Sequence, residues 1–157
     1  MNWKKWKPYL ISAVIALGIG ALSGLLSMGG MRDYAESVVK PALTPPGWLF
    51  PVVWTILYTL MGISSARIWL APESAARDKG LNLYATQLIV NFFWSLIFFN
   101  AQAFGFAAIW LILLIALVVL MINQFNKVNR RAALLQIPYL LWLLFALYLN
   151  IGVWTLN

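Results

Sequence analysis

KPALTPPGWLFPVVWTILYTLMG, residues 40–62, decides how the chain is read. Pro45 and Pro46 hold the backbone extended, because each ring fixes φ and disfavours the helical region for the residue before it. Pro51 falls in the first turn of the helix that follows, where a missing N–H leaves no bond unmade. Thr44 or Gly47 is the expected N-cap. Phe50, Trp54, Leu57, Tyr58, Met61 and Ser65 then recur at spacings of three and four. That period draws one aromatic, faintly polar stripe along a helix. A stiff arm therefore feeds an apolar helix.

Outside this stretch the composition is equally one-sided. Hydrophobic residues make up 63% of the 157 and charged residues only 10%, with a mean hydropathy of +0.84. That is too apolar for a soluble globule. Eleven Lys and Arg against four acids give a formal charge of +7. The bases sit in the gaps between apolar runs, so membrane topology accounts for them and nucleic acid is not an expected partner. The chain has no cysteine and no histidine, which excludes disulfides, thiolate nucleophiles, imidazole acid–base chemistry and the usual zinc sites. Lys4, Lys5 and Lys7 precede an apolar run of spanning length without a small-x-small cleavage site, so a retained first span is expected rather than a signal peptide.

Five apolar runs, 8–29, 48–70, 81–102, 106–126 and 132–154, each approach the ~20 residues that cross a hydrocarbon core. The expected fold is an all-α bundle of five transmembrane helices with a long first loop, one integral membrane domain over residues 1–157. Arg67 alone is charged within these runs, near an end where it can snorkel. Ala16, Gly20 and Gly24 place small residues on one face of the first span, for packing within the chain or for a dimer seam. MRDYAESVVK in the first loop predicts a short interfacial helix with Tyr34 and Val38 on one face. The PALTPP arm would then hold it across the bundle mouth as a lid. Only 103–105 separates the third and fourth runs, which forces an antiparallel hairpin. Pro138 predicts a kink in the last.

Counting bases orients the bundle. Lys4, Lys5, Lys7, Arg67, Arg77, Lys79, Lys127, Arg130 and Arg131 fall on one side, Arg32 and Lys40 on the other. Nine against two puts the N-terminus inside.

The third run aligns Tyr84, Gln87, Asn91, Trp94, Phe98 and Gln102 at helical spacing. Amides facing lipid would be left unpaired at a cost of several kcal/mol, so this face turns inward, either to bond other helices or to line a pocket. Trp142, Phe145, Ala146 and Asn150 share a face in the fifth. With Trp54 and Tyr58 these stripes describe a cavity walled by flat rings and a few amides. Such a cavity suits a large, planar, mostly apolar ligand, each stacked ring pair adding about 0.5–1.5 kcal/mol. Trp3, Trp6, Trp48, Trp69 and Trp154 sit at helix ends, where interfacial anchoring explains them. The apolar runs hold no His or carboxylate to pair with a hydroxyl, so conventional nucleophilic catalysis is not expected. Asp33, Glu36, Glu73 and Asp78 all lie outside the runs, which counts against a proton-coupled exporter.

Lys40-Pro41, Thr44-Pro45-Pro46, Trp48, Phe50-Pro51, Val53-Trp54, Leu57-Tyr58 and Met61-Gly62 resemble the translocator protein family. The family is also called tryptophan-rich sensory protein or peripheral benzodiazepine receptor, and the chain looks like a bacterial member. Gln87, Asn91, Trp94, Phe98 and Phe99 match its third helix. Pro138-Tyr139, Trp142, Phe145-Ala146 and Leu149-Asn150 match its fifth. The resemblance implies a five-helix bundle that binds porphyrins, other tetrapyrroles, and isoquinoline carboxamide or benzodiazepine-type drugs. It also implies a homodimer in the lipid of a bacterial cell membrane, with links to tetrapyrrole and stress responses. Light-dependent oxidative degradation of protoporphyrin is implied too, with photochemical roles for Trp54 and Trp142.

The expected ligand contacts are Tyr34, Pro41, Trp48, Phe50, Trp54, Tyr58, Gln87, Asn91, Trp94, Phe98, Trp142, Phe145 and Ala146. No cofactor is expected. Haem iron is held by His, Cys, Met or Tyr, and only Met and Tyr are present, so a metal-free porphyrin such as protoporphyrin IX fits better than haem. The sterol motif of the animal branch is missing, since no Lys or Arg follows Tyr148. Movement of small apolar ligands across the bilayer and a non-catalytic regulatory scaffold are the alternative readings.

Overall fold

A computed structural model describes residues 2–157. It is helical throughout its regular parts: α1 Trp3–Leu26, α2 Met28–Ser37, α3 Leu49–Trp69, α4 Ala75–Ser95, a π-helical turn Leu96–Asn100, α5 Phe104–Val128, α6 Arg130–Leu135 and α7 Ile137–Leu156. Among the described residues five stretches are long and apolar enough to cross a membrane: α1, α3, α4 with the π turn, α5, and α6 with α7. The helices outrun the apolar runs wherever a cap lies beyond them. Ser74 accepts a hydrogen bond from the Arg77 amide and starts α4 above the apolar run. Asn129 does the same for α6 through the Ala132 amide, each oxygen satisfying a first-turn donor.

Around the bundle, α1 lies against α3 and α4, α4 against α5, and α5 against α7. The short α6 ties α5 back to α3, and Ser64 donates to the Ala132 carbonyl at 2.7 Å. α3 and α7 themselves do not pack closely along their backbones. The core is filled from every long helix by Ala16, Met61, Leu88, Leu114, Val118, Met121 and Leu143. Between helices in lipid, packing rather than water exclusion holds such contacts, so close backbone approach matters. At Gly62 a Cβ would fall 2.5 Å from the Ala13 Cα; only glycine fits where α1 crosses α3. Gly20 likewise receives the Tyr58 ring, and Ala16 is fully buried. The small-residue face of α1 is thus used inside the chain at these two positions. A Cβ at Gly24 would meet nothing.

Several local expectations are corrected. α3 has Trp48 at its N-cap with no side-chain bond. The Thr44 hydroxyl instead donates to the Pro41 carbonyl at 2.7 Å, bracing the arm rather than the helix. Near Pro138 the last span is interrupted outright, as a proline does to the turn before it, rather than bent within one continuous helix. The chain breaks at Gln136, and Pro138 sits in the first turn of α7, where its ring is compatible with a helix start. The α4–α5 hairpin turns at 101–103, not 103–105, because the π turn adds a residue per turn from Leu96 onward. Gln102, with φ 48°, lies exposed in that turn rather than on the inward face.

Candidate functional site

The roof of the site is the first loop. α2 forms where the sequence predicts a short helix, and Tyr34 and Val38 pack together against Phe98 and its neighbours. The Tyr34 ring lies 5.5 Å from Phe98 and 5.3 Å from Phe99. Burial raises the pKa of its phenol, because leaving water disfavours the phenolate. Lys40 stands 4.9 Å over the same ring and donates to the carbonyls of Ala35 and Val38. A cation held on a ring face in this way adds to the anchoring.

Beyond Lys40 the arm lies on the C-terminal half of α7. Asn157 accepts from the Val39 amide at 3.0 Å and donates to the Val39 carbonyl at 2.9 Å, so one side-chain amide imitates a strand partner. Tyr148 donates to the Ala42 carbonyl at 2.8 Å. Pro41 rests on Gly152, where a Cβ would approach its ring to 2.6 Å.

Since the arm occupies the upper part of α7, α3 begins opposite its middle and runs antiparallel to it. Phe50 meets Trp142 edge-on at 5.9 Å, and Trp54 meets Tyr139 at 6.2 Å. Trp142 continues to Phe145 at 5.6 Å and Phe145 to Tyr148 at 6.1 Å. A ladder of rings therefore climbs α7 to the lid. Rings rather than backbone bridge α3 and α7, and beside them a groove of about 420 Å³ opens sideways. Val53, Ile56, Leu57, Pro138, Leu141, Trp142 and Phe145 line it, all apolar. Its volume is within the range of small-molecule sites.

Behind the rings the expected amides meet one another. Tyr139 donates to Gln87 at 2.7 Å, and Asn91 donates to Tyr58 at 3.2 Å. Gln87 also points its amide nitrogen at the Met61 sulfur, 3.8 Å away. All five side chains are buried. Of the two roles open to the α4 amides, bonding between helices is the one realised here, as a membrane interior demands of buried polar groups. Nearer the lid, the Trp94 indole donates to Asn150 at 3.1 Å and stacks on Phe98 at 5.0 Å. Asn150 in turn donates to the Phe104 carbonyl at 2.8 Å.

The expected contacts thus divide into three groups. Phe50, Trp54, Trp142, Phe145 and Ala146 converge on the α3–α7 wedge, with Trp54, Trp142 and Ala146 half-buried against the common core. Tyr58, Gln87 and Asn91 form the polar floor, while Tyr34, Pro41, Trp94 and Phe98 build the roof. Trp48, 68% exposed, stands apart from all three. Tyr139 belongs to the site, and Tyr148, Gly152 and Asn157 fasten its lid, although the expected contacts include none of them. Tyr139 lies three residues before Trp142 and shares its helical face, which is a readable signal. The lid contacts of the other three are made over more than a hundred residues of chain, and no local pattern reports such a pairing.

Comparison with known proteins follows the same outline. The sequence model described as the TspO/MBR family matches residues 11–155. "Protein CrtK" of Rhodobacter capsulatus is 39% identical over 158 residues, covering 100% of this chain and 95% of its own length. "Tryptophan-rich protein TspO" of Chlorobaculum tepidum is 40% identical over 147 residues, 91% of each. "Translocator protein" of Sus scrofa is 37% identical over 155 residues, 97% of this chain and 91% of the relative. A five-helix membrane bundle matched over nearly its whole length by both bacterial and animal relatives belongs to the TspO/MBR family.

Proposed function

We propose that this chain is a membrane receptor for porphyrins and other tetrapyrroles that also accepts planar drugs of the isoquinoline carboxamide and benzodiazepine types. The observation that carries this reading is the α3–α7 wedge. Phe50, Trp54, Trp142 and Phe145 bridge two helices whose backbones stay apart. Flat rings with a polar floor favour a flat guest with an apolar face, because offset stacking adds to area burial. The ligand is a metal-free porphyrin such as protoporphyrin IX, and no resident cofactor is needed to hold it. Trp54 and Trp142 keep it in place. Under illumination an indole passes an electron to the excited porphyrin, which hands it to dioxygen. The indole cation then takes an electron back from the porphyrin ring, and superoxide adds to the ring cation, so the porphyrin is oxidised, dioxygen reduced and the indole regenerated. The N-terminus and the basic connections face the cytoplasm of a bacterial cell, as nine bases against two favour. The working form is a homodimer, for which the unoccupied space beside Gly18 and Gly24 on α1 leaves room.

Titrating protoporphyrin IX into the detergent-solubilised protein while following tryptophan fluorescence tests the reading. Saturable quenching that weakens when Trp142 is replaced is expected. Strictly linear, non-saturable quenching rules the receptor out and leaves a membrane scaffold.

A further inference from the structure

The wedge has two boundaries through which a ligand can arrive, the lid above and the groove at its side, and they are built differently. We infer that the groove between α3 and α7 is the entrance, taking ligand dissolved in the hydrocarbon of the bilayer, and that the lid is a fixed roof. The inference deepens the receptor reading and rests on it.

Four observations carry the choice. The lid is fastened at separate points along one helix: Val39 to Asn157 by two hydrogen bonds, Ala42 to Tyr148 by another, and Pro41 seated on Gly152. Its other end is held by Tyr34 between Phe98 and Phe99, with Lys40 over the ring. Opening from the aqueous side means undoing these contacts together. The groove by contrast presents only apolar side chains, and its walls are helices whose backbone groups are already paired. An apolar guest moving along it breaks no hydrogen bond.

Depth agrees with this. Val53–Leu57 begin one turn inside α3 and Pro138–Phe145 fill the first half of α7, both within stretches apolar enough to cross a membrane, so lipid chains and not water face the groove. It is continuous with the wedge, because Trp142 and Phe145 line the groove and also carry the ring ladder. A planar apolar molecule partitions into the bilayer before it meets the protein. The side of the bundle is then where its concentration is highest.

The rim residues Ile56 and Leu141 are more than half exposed and line the groove without belonging to the ring ladder, which makes them suitable gates. The test uses the full-length protein in phosphatidylcholine–phosphatidylglycerol vesicles preloaded with protoporphyrin IX, with stopped-flow tryptophan quenching as readout. Ile56→Trp and Leu141→Trp, singly and together, narrow the groove without altering the wedge; Asn157→Ala with Tyr148→Phe releases the lid. Narrowing an entrance slows association and dissociation equally. About a tenfold fall in both rates with unchanged Kd is therefore expected for the paired rim variant, within the one to three decades over which association rates vary among related variants. The lid-released variant is expected to keep the native association rate.

Faster association after lid release, with rim variants at native rates, overturns the inference in favour of aqueous access from above. A weaker Kd at unchanged association rate in the rim variants also overturns it, because the groove is then part of the binding site itself. Absence of saturable quenching in the native protein is a different result: it removes the receptor reading, and the entrance with it. The single rim variants decide the question if the paired one does not fold.

Discussion

The Tyr139 phenol on α7 donates a 2.7 Å hydrogen bond to Gln87 on α4, and neither side chain is exposed by more than 1%. With the Trp94–Asn150 bond nearer the lid, it joins these two helices behind the aromatic wedge. Replacing Gln87 by Met keeps the volume and strands the phenol. We expect a loss of about 1–2 kcal/mol, since an unsatisfied buried donor costs more than the bond is worth. Adding Tyr139→Phe should restore part of it. The coupling from a double-mutant cycle is expected near 0.6 kcal/mol and no more than about 1.7 kcal/mol, as for hydrogen bonds inside membranes. Unfolding in mixed micelles measures both.

Trp142 stands between Phe50 and Phe145, and Trp54 between Tyr58 and Tyr139. Trp142→Phe and Trp54→Phe should each weaken porphyrin binding by about two- to tenfold, the worth of one stacked pair. Ligand absorbance titration reads this without relying on tryptophan emission. The double variant is expected to lose light-driven porphyrin bleaching at saturating ligand. Bleaching at the native rate would leave the indoles as supports only.

Gly152 and Gly62 answer to different neighbours. A side chain at Gly152 meets the Pro41 ring, at the end of a surface arm. Gly152→Val should therefore expose the arm to protease with little change in overall stability. At Gly62 the obstacle is the backbone of α1 at Ala13. Gly62→Ala should cost about 1–3 kcal/mol, because a packed helix must shift.

Burial raises the Tyr34 pKa above the ordinary 10.0 of a phenol. The folded lid binds this proton more tightly than the unfolded chain does. Its contribution is fully present below pH 10 and is lost as pH rises through the folded value. Amide exchange over α2 should accelerate above pH 10, and Tyr34→Phe should remove the phenol's share of that rise.

Five spans, the lid helix and the inward faces of α3, α4 and α7 are legible in the sequence because each is a local matter. Apolar length decides whether a segment can cross the hydrocarbon, and spacings of three and four decide which side chains share a face. Phe50, Trp54 and Tyr58 read as one stripe and stand as one stripe. The resemblance to translocator proteins was likewise carried by strings within single segments.

Between segments such patterns are silent. The residues of α4 alone leave open whether Gln87 and Asn91 face a hollow or a partner. The partners, Tyr139 and Tyr58, lie 52 and 33 residues away. Asn157 meets Val39 across 118 residues, and the π turn moves the hairpin by a shift no periodicity announces. Length and period follow from the chain's own chemistry. Which bonds are made, and where α3 and α7 stay apart, follows only from how five rigid rods of unequal reach settle against one another.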